Sequence, residues 1–108
     1  MTDDRLGAVF GALADPTRRW MVETLLRDGS STVPAFTASL PITRQAVAKH
    51  LAALDDAGLV EREPDGSGRE VRYRLRSGAL DPAASWLTDT QRAWDARLGR
   101  LKRSVERG

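Results

Sequence analysis

The sequence of 108 residues predicts one mainly helical domain that carries a single small β-hairpin. Three observations lead to this fold class. Apolar residues recur at helical spacing over most of the chain. Asp-Pro pairs and threonines precede these apolar stretches, as residues that begin helices do. One cluster of turn formers, residues 64–68, separates two short stretches of strand character.

Two helices are predicted in the first part of the chain. The first spans about residues 3–14 and has apolar residues at helical spacing, namely Leu6, Val9, Phe10 and Leu13. Asp15 then provides an N-cap and Pro16 the first position of a second helix, which ends at residues 28–29. We expect this helix to bury Met21, Val22, Leu25 and Leu26.

Residues 32–57 predict two helices joined by a tight turn. Thr32 caps a short helix with Val33, Phe36 and Leu40 on one side, and Pro41 lies in the connection to a second cap, Thr43. The helix after Thr43 buries Val47, Leu51 and Leu54 and ends at Ala57-Gly58. Short and basic side chains are left on its outward face: Arg44, Gln45, Ala48, Lys49 and Ala52. Such a face suits the major groove of DNA, although an ordinary amphipathic surface helix has the same pattern.

Residues 59–75 predict a β-hairpin. Two strands, residues 59–63 and 69–75, flank the turn formers. In the second strand Val71, Tyr73 and Leu75 alternate with Glu70, Arg72 and Arg74. One face of the hairpin is therefore apolar and the other carries two guanidinium groups, which makes the hairpin a basic wing.

A long last helix is predicted over residues 82–106, with Asp81 as its cap and Pro82 at its first position. Its apolar residues form a narrow seam at spacings of about three, four and seven: Leu87, Trp94, Leu98, Leu101 and Val105. The seam suits lengthwise packing against a second helix. We expect it to form a homodimer interface, and the alternative is that it folds back on the domain's own core.

Taken together, these segments resemble the ArsR-type winged helix-turn-helix repressors over nearly the whole chain. The matching residues are 13–19, Val33, Leu40, Ile42, Ala46-Val47, His50-Leu51, Leu54, 57–60, 68–70 and Tyr73. Ala35, Thr37 and Ala48 depart from the family pattern, and at the last of these the family usually has a DNA-facing Ser. The resemblance implies about five helices, a two-stranded wing and a two-fold interface formed by the first and last helices. Leu6 and Phe10 would then join the seam at that interface.

The resemblance and the helix pattern together predict contacts with double-stranded DNA. Arg44, Gln45 and Lys49 are expected at base edges, since Arg suits guanine and Gln suits adenine, and Ala48 is limited to a methyl contact with thymine. The backbone contacts are expected from Thr43, His50, Arg69, Arg72 and Arg74. For His50, a role in bracing the core is the alternative.

Composition excludes several other classes of function. The chain has no cysteine and one histidine, so neither a thiolate metal site nor a clustered imidazole site is expected, and no cofactor is predicted. No catalytic constellation or phosphate-binding glycine loop is present in the sequence, so we do not expect an enzyme. The sequence has no apolar stretch of membrane-spanning length and an acidic start, which predicts a cytoplasmic protein without membrane contact.

The sequence therefore predicts a single domain, residues 1–108, that acts as a homodimeric transcription repressor on an inverted-repeat operator. One alternative is a winged-helix module that binds proteins and has lost DNA binding. Another is a regulator that responds to an unidentified organic effector near Trp86 and Trp94.

Overall fold

Five helices and one two-stranded antiparallel sheet make up the part of the chain that the computed structural model describes, residues 4–63 and 70–108. Their bounds are α1 Asp4–Leu13, α2 Pro16–Asp28, α3 Val33–Ser39, α4 Arg44–Asp56, β1 Val60–Arg62, β2 Tyr73–Leu75 and α5 Asp81–Arg107. The predicted order of helices and hairpin is confirmed.

Three of the four predicted N-caps are confirmed by a hydrogen bond. Asp15 accepts from the Arg18 backbone N at 3.1 Å, Thr32 accepts from Ala35 N at 3.1 Å, and Thr43 accepts from Ala46 N at 3.0 Å. The prediction that Asp81 caps α5 is wrong. Leu80 occupies that position without a side-chain bond, and Asp81 lies in the first turn, where its carboxylate faces the positive end of the helix dipole.

The core lies between α1, α2, α4 and the sheet. Its fully buried large side chains are Met21, Leu25, Phe36, Val47, Leu51, Leu54, Leu59 and Val60. The predicted stripe of α4 is thereby confirmed. The prediction that Leu26 is buried is wrong, since it is 74% exposed. Residues advance by about 100° each around a helix, which carries Leu26 past the edge of the buried face, and Thr24 occupies the other edge.

The wing is tied to the helix-turn-helix by main-chain hydrogen bonds. β1 and β2 pair with Val60 opposite Leu75 and Arg62 opposite Tyr73. On its other side, Tyr73 exchanges two backbone bonds of 2.8 and 3.0 Å with Ser31, the residue before the cap of α3. The orientation of the wing is therefore fixed against the start of α3.

Both strands are shorter than predicted, although hydrogen bonds extend the pairing. Arg76 N donates to Leu59 O at 2.9 Å and Glu63 N to Arg72 O at 2.8 Å. Val71 lies outside β2 and is exposed, so the prediction that it shares the apolar face with Tyr73 and Leu75 is wrong. The predicted turn, residues 64–68, lies outside the described residues.

The last helix leaves the body of the domain after its first turns. Ala83 is its one buried residue, and Trp86 contacts the ring of Phe10 edge to face with 5.7 Å between centroids. Beyond this contact α5 projects into solvent, which accounts for the 69 Å length of a molecule only 28 Å wide. Within the described ranges, no helix combines the length and the apolar content that crossing a membrane requires.

Candidate nucleic-acid interface

The outward face of α4 is the first part of the candidate interface. Arg44, Gln45, Ala48 and Lys49 are all exposed and lie next to one another within the first two turns. Within the described ranges, Arg44, Gln45 and Lys49 make no hydrogen bond or ion pair through their side chains. These groups are therefore available for an external partner, and the alanines between them let that partner approach the backbone closely.

Local bonds at both ends hold α4 in place. At its start the exposed Thr43 caps the helix. At its end Gly58 has a φ of 76°, its N–H donates to Asp55 O at 2.9 Å, and Leu59 N donates to Leu54 O at 2.9 Å. This is a Schellman motif, which requires the left-handed conformation that glycine adopts readily. It sets the direction from which β1 leaves the helix.

A side-chain network joins α4 to the start of α2. Arg18 Nε donates to Nδ1 of the half-buried His50 at 3.2 Å. In this bond Nδ1 is the acceptor, and Nε2 of the same ring has no partner among the described residues. The pKa of Asp15 is held below its ordinary value, chiefly because the Arg18 backbone N–H donates to the carboxylate. His50 thus braces two helices, the alternative role that its pattern left open.

The wing arginines contact acidic or polar neighbours. Arg72 donates from Nε and Nη2 to Ser30 Oγ at 3.0 and 2.9 Å, and its Nε lies 3.7 Å from Glu63. Arg74 Nε lies 3.3 Å from a carboxylate oxygen of Glu61. Both guanidinium groups are half-buried and both have partners. The Arg44 guanidinium, in contrast, has none among the described residues. The third predicted wing arginine, Arg69, lies outside the described residues.

Sequence reasoning missed the role of Arg76, a cation at the end of the wing. Arg76 bridges the wing and α4, lying 3.6 Å from Glu61 and 3.9 Å from Asp55. Its position one residue after β2 was visible in the sequence, but its partners lie 15 and 21 positions earlier, and no short-range pattern links them. The pairing of Arg18 with His50, 32 residues away, was missed for the same reason.

The predicted dimer seam is exposed along its whole length. Leu87, Trp94, Leu98, Leu101 and Val105 are between 43% and 72% exposed. The seam therefore does not fold back on the core of its own chain. Leu6 and Phe10 of α1 are half-buried and pack at the margin of that core. An apolar row of this length favours a protein partner.

No group of three or more potential metal ligands from His, Cys, Asp and Glu occurs among the described residues. The prediction that metal does not bind stays a prediction.

Comparison with known proteins identifies relatives of this architecture. A family model described as a helix-turn-helix domain matches residues 13–63. The arsenic resistance transcriptional regulator ArsR1 of Pseudomonas putida is 33% identical over 92 residues, which cover 74% of this chain and 70% of that protein.

Solved structures extend the similarity to α5. An ArsR-like transcriptional regulator from Rhodococcus sp. RHA1 superposes with a TM-score of 0.79 at 39% identity, covering 93% of this chain and 92% of its own. The winged helix-turn-helix DNA-binding domain of Mb0332 from Mycobacterium bovis, a homodimer in solution, has a TM-score of 0.60 at 26% identity. That similarity covers 85% of this chain and 80% of the Mycobacterium domain.

Proposed function

This chain belongs to the ArsR family of winged helix-turn-helix transcription regulators, and we propose that it is a homodimeric repressor that binds an inverted-repeat operator in double-stranded DNA. The observation that carries the proposal is the outward face of α4. Arg44, Gln45 and Lys49 are exposed and unpaired there among the described residues, on a helix that is capped at both ends.

Base recognition is assigned to this face. Arg44 suits the two acceptors of guanine, Gln45 suits the donor and acceptor of adenine, and Ala48 suits the thymine methyl group. Lys49, one turn further along, reaches a third base edge. Thr43 and His50 are proposed to hold phosphates beside them, and the unpartnered Nε2 of His50 supports this second role.

The wing arginines are proposed to hold the DNA backbone by exchanging partners. The half-buried Arg74–Glu61 pair lies at the protein surface, where ion pairs contribute about 0–1 kcal/mol, so giving one up for a phosphate costs little. Arg72 and Arg69 complete the proposed backbone contacts. The wing then adds affinity without adding base specificity.

The dimer is proposed to form through the seam of α5 together with Leu6 and Phe10 of α1. A two-fold axis between the protomers would place two α4 helices in successive major grooves, about one helical turn apart. The homodimeric Mycobacterium domain supports this assembly. The proposed site of action is the cytoplasm, and no catalytic role is proposed.

The base contacts are tested with an operator enriched from a random duplex pool. Arg44→Ala or Gln45→Ala should lower affinity for that operator by about 1–3 kcal/mol for each base contact removed and leave binding to random DNA nearly unchanged. Arg27→Ala is the matched control, because Arg27 is an exposed cation on α2 that pairs only with its neighbour Asp28. An equal reduction on both kinds of DNA would show that the α4 side chains hold phosphate instead.

An alternative left open for the signal that releases the repressor is an organic effector near Trp86 and Trp94. The two rings are about half exposed and lie eight residues apart, roughly 12 Å along the helix axis. Ligand-dependent quenching of fluorescence that disappears in Trp86→Phe would support the site. Quenching that depends only on Trp20, which packs against Phe36 in the core, would contradict it.

A further inference from the structure

Positive charge is concentrated at the end of the chain. Residues 92–108 carry six basic and two acidic residues, a net charge of +4, whereas residues 1–91 carry 11 basic and 13 acidic residues, a net charge of −2. The domain that contains the helix-turn-helix and the wing is therefore slightly acidic. Its attraction for a polyanion has to come from local arrangement or from α5.

Four of these cations lie on one face of α5. Arg92, Arg100, Arg103 and Arg107, which we call the arginine face, fall within about 80° of one another around the helix. The apolar seam is centred about 170° away from them, which places the two surfaces on nearly opposite sides. A partner helix that covers the seam would therefore leave the arginine face open to solvent.

The arginine face lacks partners of opposite charge. All four residues are exposed, and within the described ranges none makes a hydrogen bond or an ion pair. Of the acidic residues on this part of α5, Asp95 accepts a 2.8 Å bond from Gln91, and Asp89 and Glu106 make no ion pair within the described ranges. Arg100, Arg103 and Arg107 line an open depression together with Ser104. Like charges at spacings of three and four oppose helix formation, so the cluster has a local cost.

The helix dipole offsets that cost for only part of the cluster. Cations are stabilised at the carboxyl end of a helix, but the effect falls off within the last turn. It covers Arg107 and reaches Arg103, and it does not reach Arg92 or Arg100. A role in helix stability therefore accounts for one end of the arginine face and leaves the other end unexplained.

We propose that the arginine face is a second DNA-binding surface, which holds the phosphate backbone outside the operator half-sites. The inference rests on the proposed function. Its support is charge complementarity: Arg72 and Arg74 of the wing are compensated by Glu63 and Glu61, whereas the arginine face is uncompensated over about 22 Å of helix. Guanidinium groups bind phosphate in bidentate geometry, and duplex DNA offers one negative charge per ~1.7 Å. The phosphates come from DNA that flanks the operator or from a second duplex.

The test compares two quadruple variants of the dimer with the unmodified protein. R92Q/R100Q/R103Q/R107Q removes the charge, and the Arg→Lys version at the same positions keeps it. Gln and Lys have similar helix propensities, so both variants should retain α5 and the dimer, as sedimentation and circular dichroism would verify. Affinity is measured by fluorescence anisotropy on a duplex limited to the operator and on one extended on both sides, over a range of salt concentrations.

Binding to flanking DNA predicts that the Gln variant equals the unmodified protein on the short duplex and binds the extended duplex more weakly. The slope of log affinity against log salt on the extended duplex should become shallower by about 0.9 for each phosphate that is no longer neutralised, thus by about 1.8 or more per dimer. Binding to a second duplex predicts instead that the unmodified protein and the Lys variant retain a labelled duplex on an immobilised operator, whereas the Gln variant does not.

Equal salt slopes and equal retention of the second duplex for all three proteins would overturn the inference. An arginine face that binds an acidic protein instead of DNA would give this result. Failure of the proposed function looks different. In that case no sequence is enriched from a random pool by the unmodified protein, whatever the Gln variant does on random DNA.

Discussion

The assembly proposed here makes Leu101→Ala a quantitative probe. Leu101 is 60% exposed in the single chain and lies within the seam, between Leu98 and Val105. Full burial of a leucine contributes about 1.5–3 kcal/mol, so burying the remaining surface against a partner helix contributes about 1–2 kcal/mol. Alanine retains part of this burial free energy, and a symmetric dimer contains the substitution twice. The expected destabilisation is roughly 2–3 kcal/mol per dimer, which raises the dissociation constant of the dimer about 30- to 150-fold.

Sedimentation equilibrium over a dilution series measures this constant directly. Asp89→Ala is the matched control, because Asp89 is exposed on the same helix, away from the seam, and forms no ion pair within the described residues. Both substitutions favour helix, so circular dichroism should show α5 intact in each. A dissociation constant for Leu101→Ala within twofold of the control would refute the assignment of the seam to the dimer interface.

Three further predictions concern the wing, metals and acid stability. Neutralising Arg72 and Arg74 together should weaken binding to operator and to random DNA alike and reduce the salt slope by about 0.9 for each phosphate released from the wing, whereas Glu61→Gln should strengthen binding to both. An unchanged slope would remove the wing from the DNA-binding surface. Zinc, cadmium or arsenite should not release the protein from its operator, because the chain has no cysteine and one histidine; stoichiometric, reversible release in a mobility-shift titration would contradict this. Since the pKa of Asp15 is lowered in the folded chain, its contribution to stability is present above its ordinary pKa and is lost as pH falls through the lowered value. The difference in unfolding free energy between the unmodified protein and Asp15→Asn should therefore be constant above about pH 4 and shrink below it; a difference that persists at lower pH would exclude this carboxylate as the cause.

Helix starts could be predicted from the sequence wherever a side chain closes a local bond. Thr43 and Thr32 each accept from the backbone N–H three residues later, and that spacing is visible in the sequence. Asp81 shows the limit of this reasoning. An Asp-Pro pair is compatible with a helix in which the Asp is the N-cap and with a helix in which the Asp lies in the first turn. In this chain the helix begins with Leu80 as its N-cap, so Asp81 lies in the first turn.

Burial could be predicted where the apolar spacing is regular. The prediction failed at the edges of the buried faces. Val47, Leu51 and Leu54 repeat at four and three and are fully buried. Leu26 follows directly after the buried Leu25, and hydrophobicity alone does not tell which of two adjacent leucines faces the core. Val71 alternates with Arg72 as a strand residue would, but the ladder of regular pairing ends at Tyr73.

The candidate site was predictable in its residue types and unpredictable in its electrostatics. The exposed row on α4 follows from helical periodicity, because one face of the helix is buried and the other is not. The pairing of Arg72 with Ser30 joins positions 42 residues apart, and that of Arg18 with His50 joins positions 32 apart. Such pairs form only when the elements pack together, so no reading of local pattern distinguishes a paired wing arginine from a free one.

Selection of bound sequences from a random duplex pool tests the central claim most directly. A dimer that presents two α4 helices about a two-fold axis should enrich an inverted repeat with half-site centres roughly 10–10.5 base pairs apart. Each half-site should contain guanine and adenine positions whose enrichment disappears in Arg44→Ala and Gln45→Ala, respectively. Enrichment of no sequence, or of a single half-site without its symmetric partner, would contradict the account.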